Sequence, residues 1–126
     1  MEALRSLVLL GCLATFLMTG VIWLVQIVVY PAFREVGSGE WPAFHRQHLS
    51  RMGRVVAPLM MVELGGALAG LAVMVSAPSG QWWYIAQAAL AMAVWLLTFL
   101  VAVPAHRKLA RNYDAGEVER LVRSNW

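Results

Sequence analysis

The amino-acid sequence predicts an all-α fold, an integral membrane bundle of three transmembrane helices with a short cytoplasmic loop helix and an amphipathic C-terminal helix. Three observations carry that prediction. Hydrophobic residues make up 60% of the 126-residue chain and charged residues 13%, whereas soluble domains hold about 45–50% and about 25%. The mean hydropathy is +0.64. The apolar residues fall into three blocks, 7–29, 55–76 and 82–103, and as a helix each would run about 33 Å, enough to cross a hydrocarbon core. A chain of this length is read as a single transmembrane domain, 1–126.

The elements follow in order. The first block has Arg5 before an apolar run and so imitates a signal peptide, but the run continues to Tyr30 without a small-x-small cleavage site, and a retained helix is expected. Pro31 is expected to stop it. Gly37-Ser38-Gly39 is a flexible break, and Pro42 suits the first turn of a loop helix over 42–50. That helix would lay Trp41, Phe44, Leu49 and Met52 on the membrane, with His45, His48 and Arg51 sharing a stripe. The second span, 55–76, turns at Ala77–Gly80 into the third, 82–103. Asp114 followed by Glu117 has the form of a capping box and starts an interfacial tail helix, 115–124, through Val118, Leu121 and Val122.

Charge orients this arrangement. Arg34, Arg46, Arg51 and Arg54 lie between the first two spans, and Arg107, Lys108, Arg111, Arg120 and Arg123 follow the third, against Arg5 alone on the other side. The positive-inside rule then puts the N-terminus outside and the C-terminus in the cytoplasm. Trp82, Trp83 and Tyr84 would mark the outer interface, and Tyr30, Trp41, Tyr113 and Trp126 the inner one. No separate basic domain exists, so nucleic acid is not an expected partner. Cys12 is the only cysteine, which excludes an intrachain disulfide.

Glu63 is the most informative residue, because it lies about 12 Å inside the second span, where an isolated charge is costly. Gly66, Ala67 and Gly70 share its face, so it points into a protein interface. Depth counting brings Gln26 and Thr98 to a similar level. Hydrogen bonds among these three would lock the bundle; a proton carrier, a metal ligand and a cofactor contact are the alternatives. The candidate catalytic residues are His45, His48, Arg51, Glu63 and His106. No tight ligand spacing supports a metal centre. Gly11, Thr15 and Thr19, then Gly66 and Gly70, then Ala89 and Ala93 form small-residue ridges for packing on each other or on other helices. Arg46, Arg54, Arg107, Lys108 and Arg111 form a basic collar suited to anionic lipid or an acidic partner. Trp23 and Trp95 would pack in the core or against lipid, or line a pocket for an aromatic or isoprenoid ligand.

Gln26, Tyr30-Pro31-Ala32-Phe33, His45, His48, Arg51, Pro58, Glu63, Trp95, Pro104-Ala105-His106, Leu109 and Asn125-Trp126, taken in order, resemble a bacterial family of small uncharacterised integral membrane proteins. The chain is more distantly similar to the anthrone-oxygenase-like membrane family. The first resemblance implies the bacterial inner membrane and a fourth spanning helix after the Asn-Trp pair. This sequence stops at Trp126, so either this member lost that helix, and a neighbouring chain or another copy would supply the missing wall, or the chain is incomplete. The second implies cofactor-independent oxygenation of an aromatic polyketide-like substrate, with His45, His48, Arg51 and His106 as the site.

Two functions are therefore expected. The first is an accessory subunit of a larger inner-membrane complex, packing through its small-residue faces, with lipids and other transmembrane subunits, or copies of itself, as partners. The alternative is a small membrane enzyme or cofactor-binding protein with its site at the cytoplasmic helix ends. Whether metal, haem, quinone or pigment is the cofactor stays open.

Overall fold

The computed structural model describes residues 1–76 and 82–124, which are helical apart from short connections and contain no strand. The expected turn at Ala77–Gly80 and the rings of Trp126 lie outside the described residues. Helix α1 covers Glu2–Leu24 and continues through a π-helical stretch, Val25–Val29, into a last turn, α2, Tyr30–Ala32. Helix α3 covers Trp41–Ser76 and α4 Trp82–Leu97. A second π stretch, Thr98–Ala102, leads into α5, Val103–Leu109, and α6 covers Ala115–Ser124. The stretches Glu2–Ala32, Trp41–Ser76 and Trp82–Leu109 are each long and apolar enough to cross a membrane.

Two local expectations are corrected. The loop helix and the second span are one helix, Trp41–Ser76. Arg51-Met52-Gly53-Arg54 offers one glycine as an interruption, and a glycine costs a helix only about 1 kcal/mol relative to alanine. Pro58 also sits inside α3. Nor does Pro31 end the first helix; it occupies the opening of a further turn. Proline has no N–H and its ring crowds the carbonyl one turn back. The chain accommodates this by widening just upstream: Tyr30 N–H bonds to Val25 O, and Val103 N–H, immediately before Pro104, bonds to Thr98 O. Both bonds have the five-residue spacing of a π turn.

The chain forms two compact units, Met1–Thr19 with Val56–Trp95, and Gly20–Val55 with Leu96–Trp126. In the first, α1 and α3 touch backbone to backbone. A methyl group on Gly11 would lie 2.7 Å from Gly66 Cα, and one on Gly66 2.5 Å from Gly11 Cα. Gly70 receives the Tyr84 ring, which leaves no room for a Cβ. Gly11, Ala14 and Met18 are buried on α1, and Met60, Glu63, Gly66, Ala67, Ala69, Gly70 and Val73 on α3. Phe16 and Val75 are each 78% exposed, as side chains facing hydrocarbon would be.

The second unit has its own core of Val25, Tyr30, Phe33, Trp41, Ala105, Leu109, Val118 and Leu121. Helix α6 is tied into it rather than resting beside it. Val118 and Leu121 are buried, and Gln26 Nε2 donates to Val122 O at 3.2 Å. Arg34 pairs with Glu119, and Lys108 with Glu117. Asp114 Oδ1 caps the helix start by accepting from Gly116 N and Glu117 N at 2.7 and 3.2 Å. Glu117, the other residue of the expected capping box, pairs with Lys108. Tyr30 and Trp41, expected as interfacial rings, are in this core at 6% and 1% exposure. The polar edge of Trp41 does not require water: its Nε1 donates to Leu109 O at 2.7 Å, which satisfies the indole inside the protein.

Candidate functional site

The second unit gathers three histidines. His45 and His48 come from the first two turns of α3 and His106 from α5. His45 Nε2 and His106 Nδ1 are 3.2 Å apart in a hydrogen bond. The ring centroids are 5.4 Å apart for His45 and His106, 5.9 Å for His48 and His106, and 6.4 Å for His45 and His48. His45 is 1% exposed, whereas His48 and His106 are half-buried.

Aromatic rings set this geometry. Trp41, one turn before His45, stacks on it at 5.2 Å with an interplanar angle of 24°, the contact that i,i+4 spacing allows. Phe33, fully buried, meets Trp41, Phe44 and His48 edge to face at 5.3, 5.7 and 4.9 Å. Tyr113 closes on Trp41 at 5.0 Å. The bond from Trp41 to the Leu109 carbonyl fixes the start of α3 against the end of α5, and with it His45 against His106.

His45 Nδ1 is buried and has no hydrogen-bond partner among the described residues. A neutral imidazole carries one proton. If Nε2–H donates to His106, then Nδ1 offers a lone pair; if His106 donates, then Nδ1 carries the N–H. In either tautomer this atom seeks a partner, and a buried polar atom without one is uncommon enough to ask for a function.

The other candidates fall differently. Arg51 is exposed on α3. Glu63 belongs to the first unit, buried at 6%, and accepts from Thr15 Oγ1 at 2.7 Å. Its expected partner Gln26 instead serves Val122 in the second unit, and Thr98 opens the second π stretch there. The contact of Gly11 with Gly66 places Thr15, one turn after Gly11, at the level of Glu63. Among the described residues no group of three His, Cys, Asp or Glu side chains is arranged to hold a metal ion.

Gly11, Gly66 and Gly70 are used inside the first unit, while Thr19 bonds to its own helix at Thr15 O, 2.8 Å. Ala89 and Ala93 are exposed, and Ala91 is the buried residue of α4. Arg46, Arg54, Arg107, Lys108 and Arg111 are all exposed and all in the second unit. Trp23 is 53% exposed.

Sequence reasoning missed Phe33 and Trp41 as walls of the site. A signal for Phe33 was present: Pro31-Ala32-Phe33, Pro42-Ala43-Phe44 and Pro104-Ala105-His106 repeat one pattern of proline, alanine and a ring. Each copy opens a helical turn, and all three third-position rings meet in this cluster. No protein-family model, curated protein or solved structure matches the chain.

Proposed function

We propose that this protein is a small enzyme or cofactor-binding protein of the bacterial inner membrane, working through His45, His48 and His106 on a ligand that enters from the cytoplasmic leaflet. One observation carries the reading: a buried histidine, hydrogen-bonded to a second and beside a third, retains a ring nitrogen with no partner among the described residues inside an aromatic cage. Such a set is suited to acid–base work, since each ring can give or take a proton and His45 can pass one to His106. The orientation, N-terminus outside and C-terminus cytoplasmic, is supported by every Lys and Arg except Arg5 belonging to the histidine-bearing unit. The resemblance to anthrone-oxygenase-like proteins read from the sequence would imply an organic, ring-containing ligand.

Native mass spectrometry of the protein released gently from its own membrane, with alanine at His45, His48 or His106, tests this. The expected result is a retained small-molecule mass in the wild type that is lost in His45→Ala and His106→Ala while helicity and oligomeric state stay unchanged. Wild-type ligand content in all three variants would overturn it.

A second reading, an accessory subunit of a larger complex, is favoured by α4. The third span is the least buried, at 11% of its most apolar window, and presents Ala89 and Ala93 to the outside. On this reading Ala89→Leu with Ala93→Leu releases a foreign subunit from the purified assembly and leaves the chain folded. Gly66→Leu is the wrong probe, because Gly66 packs inside the chain.

A further inference from the structure

Beyond the histidines, the second unit carries a groove of about 640 Å³ lined by Gly116, Glu119, Arg120, Arg123 and Ser124 of α6. The charges around it are unevenly used. Glu119 is taken by Arg34, and Glu117 by Lys108 with Arg120 further off at 3.7 Å. Arg123 is exposed and has no ion-pair partner among the described residues. Both local carboxylates are thus neutralised by other residues, and the groove is left with the positive charge of Arg123 and a loosely held Arg120. The guanidinium fork matches the paired oxygens of a phosphate. Gly116 adds no side chain to the wall. Ser124 Oγ donates to Leu121 O, which leaves its lone pairs to accept from a hydroxyl.

Position selects the kind of phosphate. Leu109 ends the third span and α6 begins at Ala115, a connection too short to carry α6 far from the membrane surface. Val118 and Leu121 pin its apolar side inward, which turns Arg120 and Arg123 outward. The groove is larger than a bare phosphate ion needs and open enough to admit a phosphodiester with its glycerol.

We propose that this groove binds the phosphodiester headgroup of an anionic phospholipid through Arg123 and Arg120. The site is independent of the histidine cluster. The test uses the full chain in nanodiscs of zwitterionic lipid doped with phosphatidylglycerol, followed by detergent extraction and native mass spectrometry. Wild type is expected to keep one phosphatidylglycerol, and Arg123→Gln to lose occupancy about tenfold, the effect of removing a charge-assisted contact. Arg123→Gln breaks no ion pair among the described residues, so its fold is secure; Arg120→Gln in the same background is expected to abolish retention. Arg5→Gln, in the first unit and outside the basic collar, is the control and keeps the lipid. Displacement by millimolar inorganic phosphate would assign the site to a soluble phosphate in place of the lipid and overturn the headgroup identity. Equal retention by wild type and Arg123→Gln, or no retention by wild type, would overturn the site.

Discussion

Gly11 and Gly66 meet through their backbones, each where the other helix has no room for a methyl group. The atom that an added Cβ would strike is main chain, so relief requires α1 and α3 to separate. Gly66→Ala is therefore expected to destabilise the first unit by about 1–3 kcal/mol, the usual cost of overpacking. Gly20, around which a Cβ would meet nothing within 4 Å, supplies the control: Gly20→Ala is neutral or slightly stabilising as a helix substitution. Unfolding midpoints of the two variants in one detergent check this, and equal midpoints would refute it.

Thr15 is the donor to Glu63. Thr15→Val keeps the shape and removes the hydroxyl, leaving a buried carboxyl oxygen without its partner, at a cost of about 1–3 kcal/mol. With Glu63→Leu in the background the same change is expected to cost far less. A double-mutant cycle on unfolding free energies reads the coupling directly; a coupling near zero would mean that the bond contributes nothing.

Gln26 and Arg34 both hold α6, and their strengths differ. The Arg34–Glu119 pair is about half exposed, with side chains at 54% and 46%, and such pairs contribute about 0–1 kcal/mol. Gln26 is buried, and its loss would leave the Val122 carbonyl short of a donor. Gln26→Leu is thus expected to raise amide exchange across Ala115–Ser124 more than Arg34→Ala does. Hydrogen exchange followed by mass spectrometry decides, and the reverse order would overturn the assignment of Gln26 as the main tether.

Trp41→Phe retains a ring against His45 and removes the indole donor to Leu109. The expected outcome is a loss of about 1–3 kcal/mol from the unpaired carbonyl and the smaller ring, together with a loosened His45–His106 contact. Thermal unfolding measures the first. Imidazole 15N shifts measure the second, and shifts identical to wild type would show that Trp41 does not position the histidines.

The three spans and the tail helix were legible because each rests on local information: apolar runs of the right length, and an aspartate placed to cap Gly116 and Glu117. The break expected between Ser50 and Val55 was not, because proline and glycine usually punctuate a chain and here α3 carries Gly53 and Pro58 without stopping. The aromatic core was hidden for another reason. A tryptophan beside a proline at a membrane boundary reads as an interfacial anchor, and only the Leu109 carbonyl, 68 residues away, gives its indole a partner inside. Glu63 stands out in the sequence as a carboxyl within an apolar span, but its bond to Thr15 depends on where two glycines cross, which spacing along one helix does not reveal.

The π-helical stretch Val25–Val29 holds one residue more than an α-helix would fit in the same turn. Deleting one of those residues would let the segment close as ordinary α-helix with everything after it still in phase, whereas winding all five as α-helix would swing everything after them by about 100° around the axis. Phe33 would then leave its place between Trp41 and His48. The wide turn is therefore a phase setting for the histidine cluster: losing it at constant chain length, far from any catalytic candidate in sequence, is expected to disturb the site, while a one-residue deletion within it is expected to leave Phe33 in place.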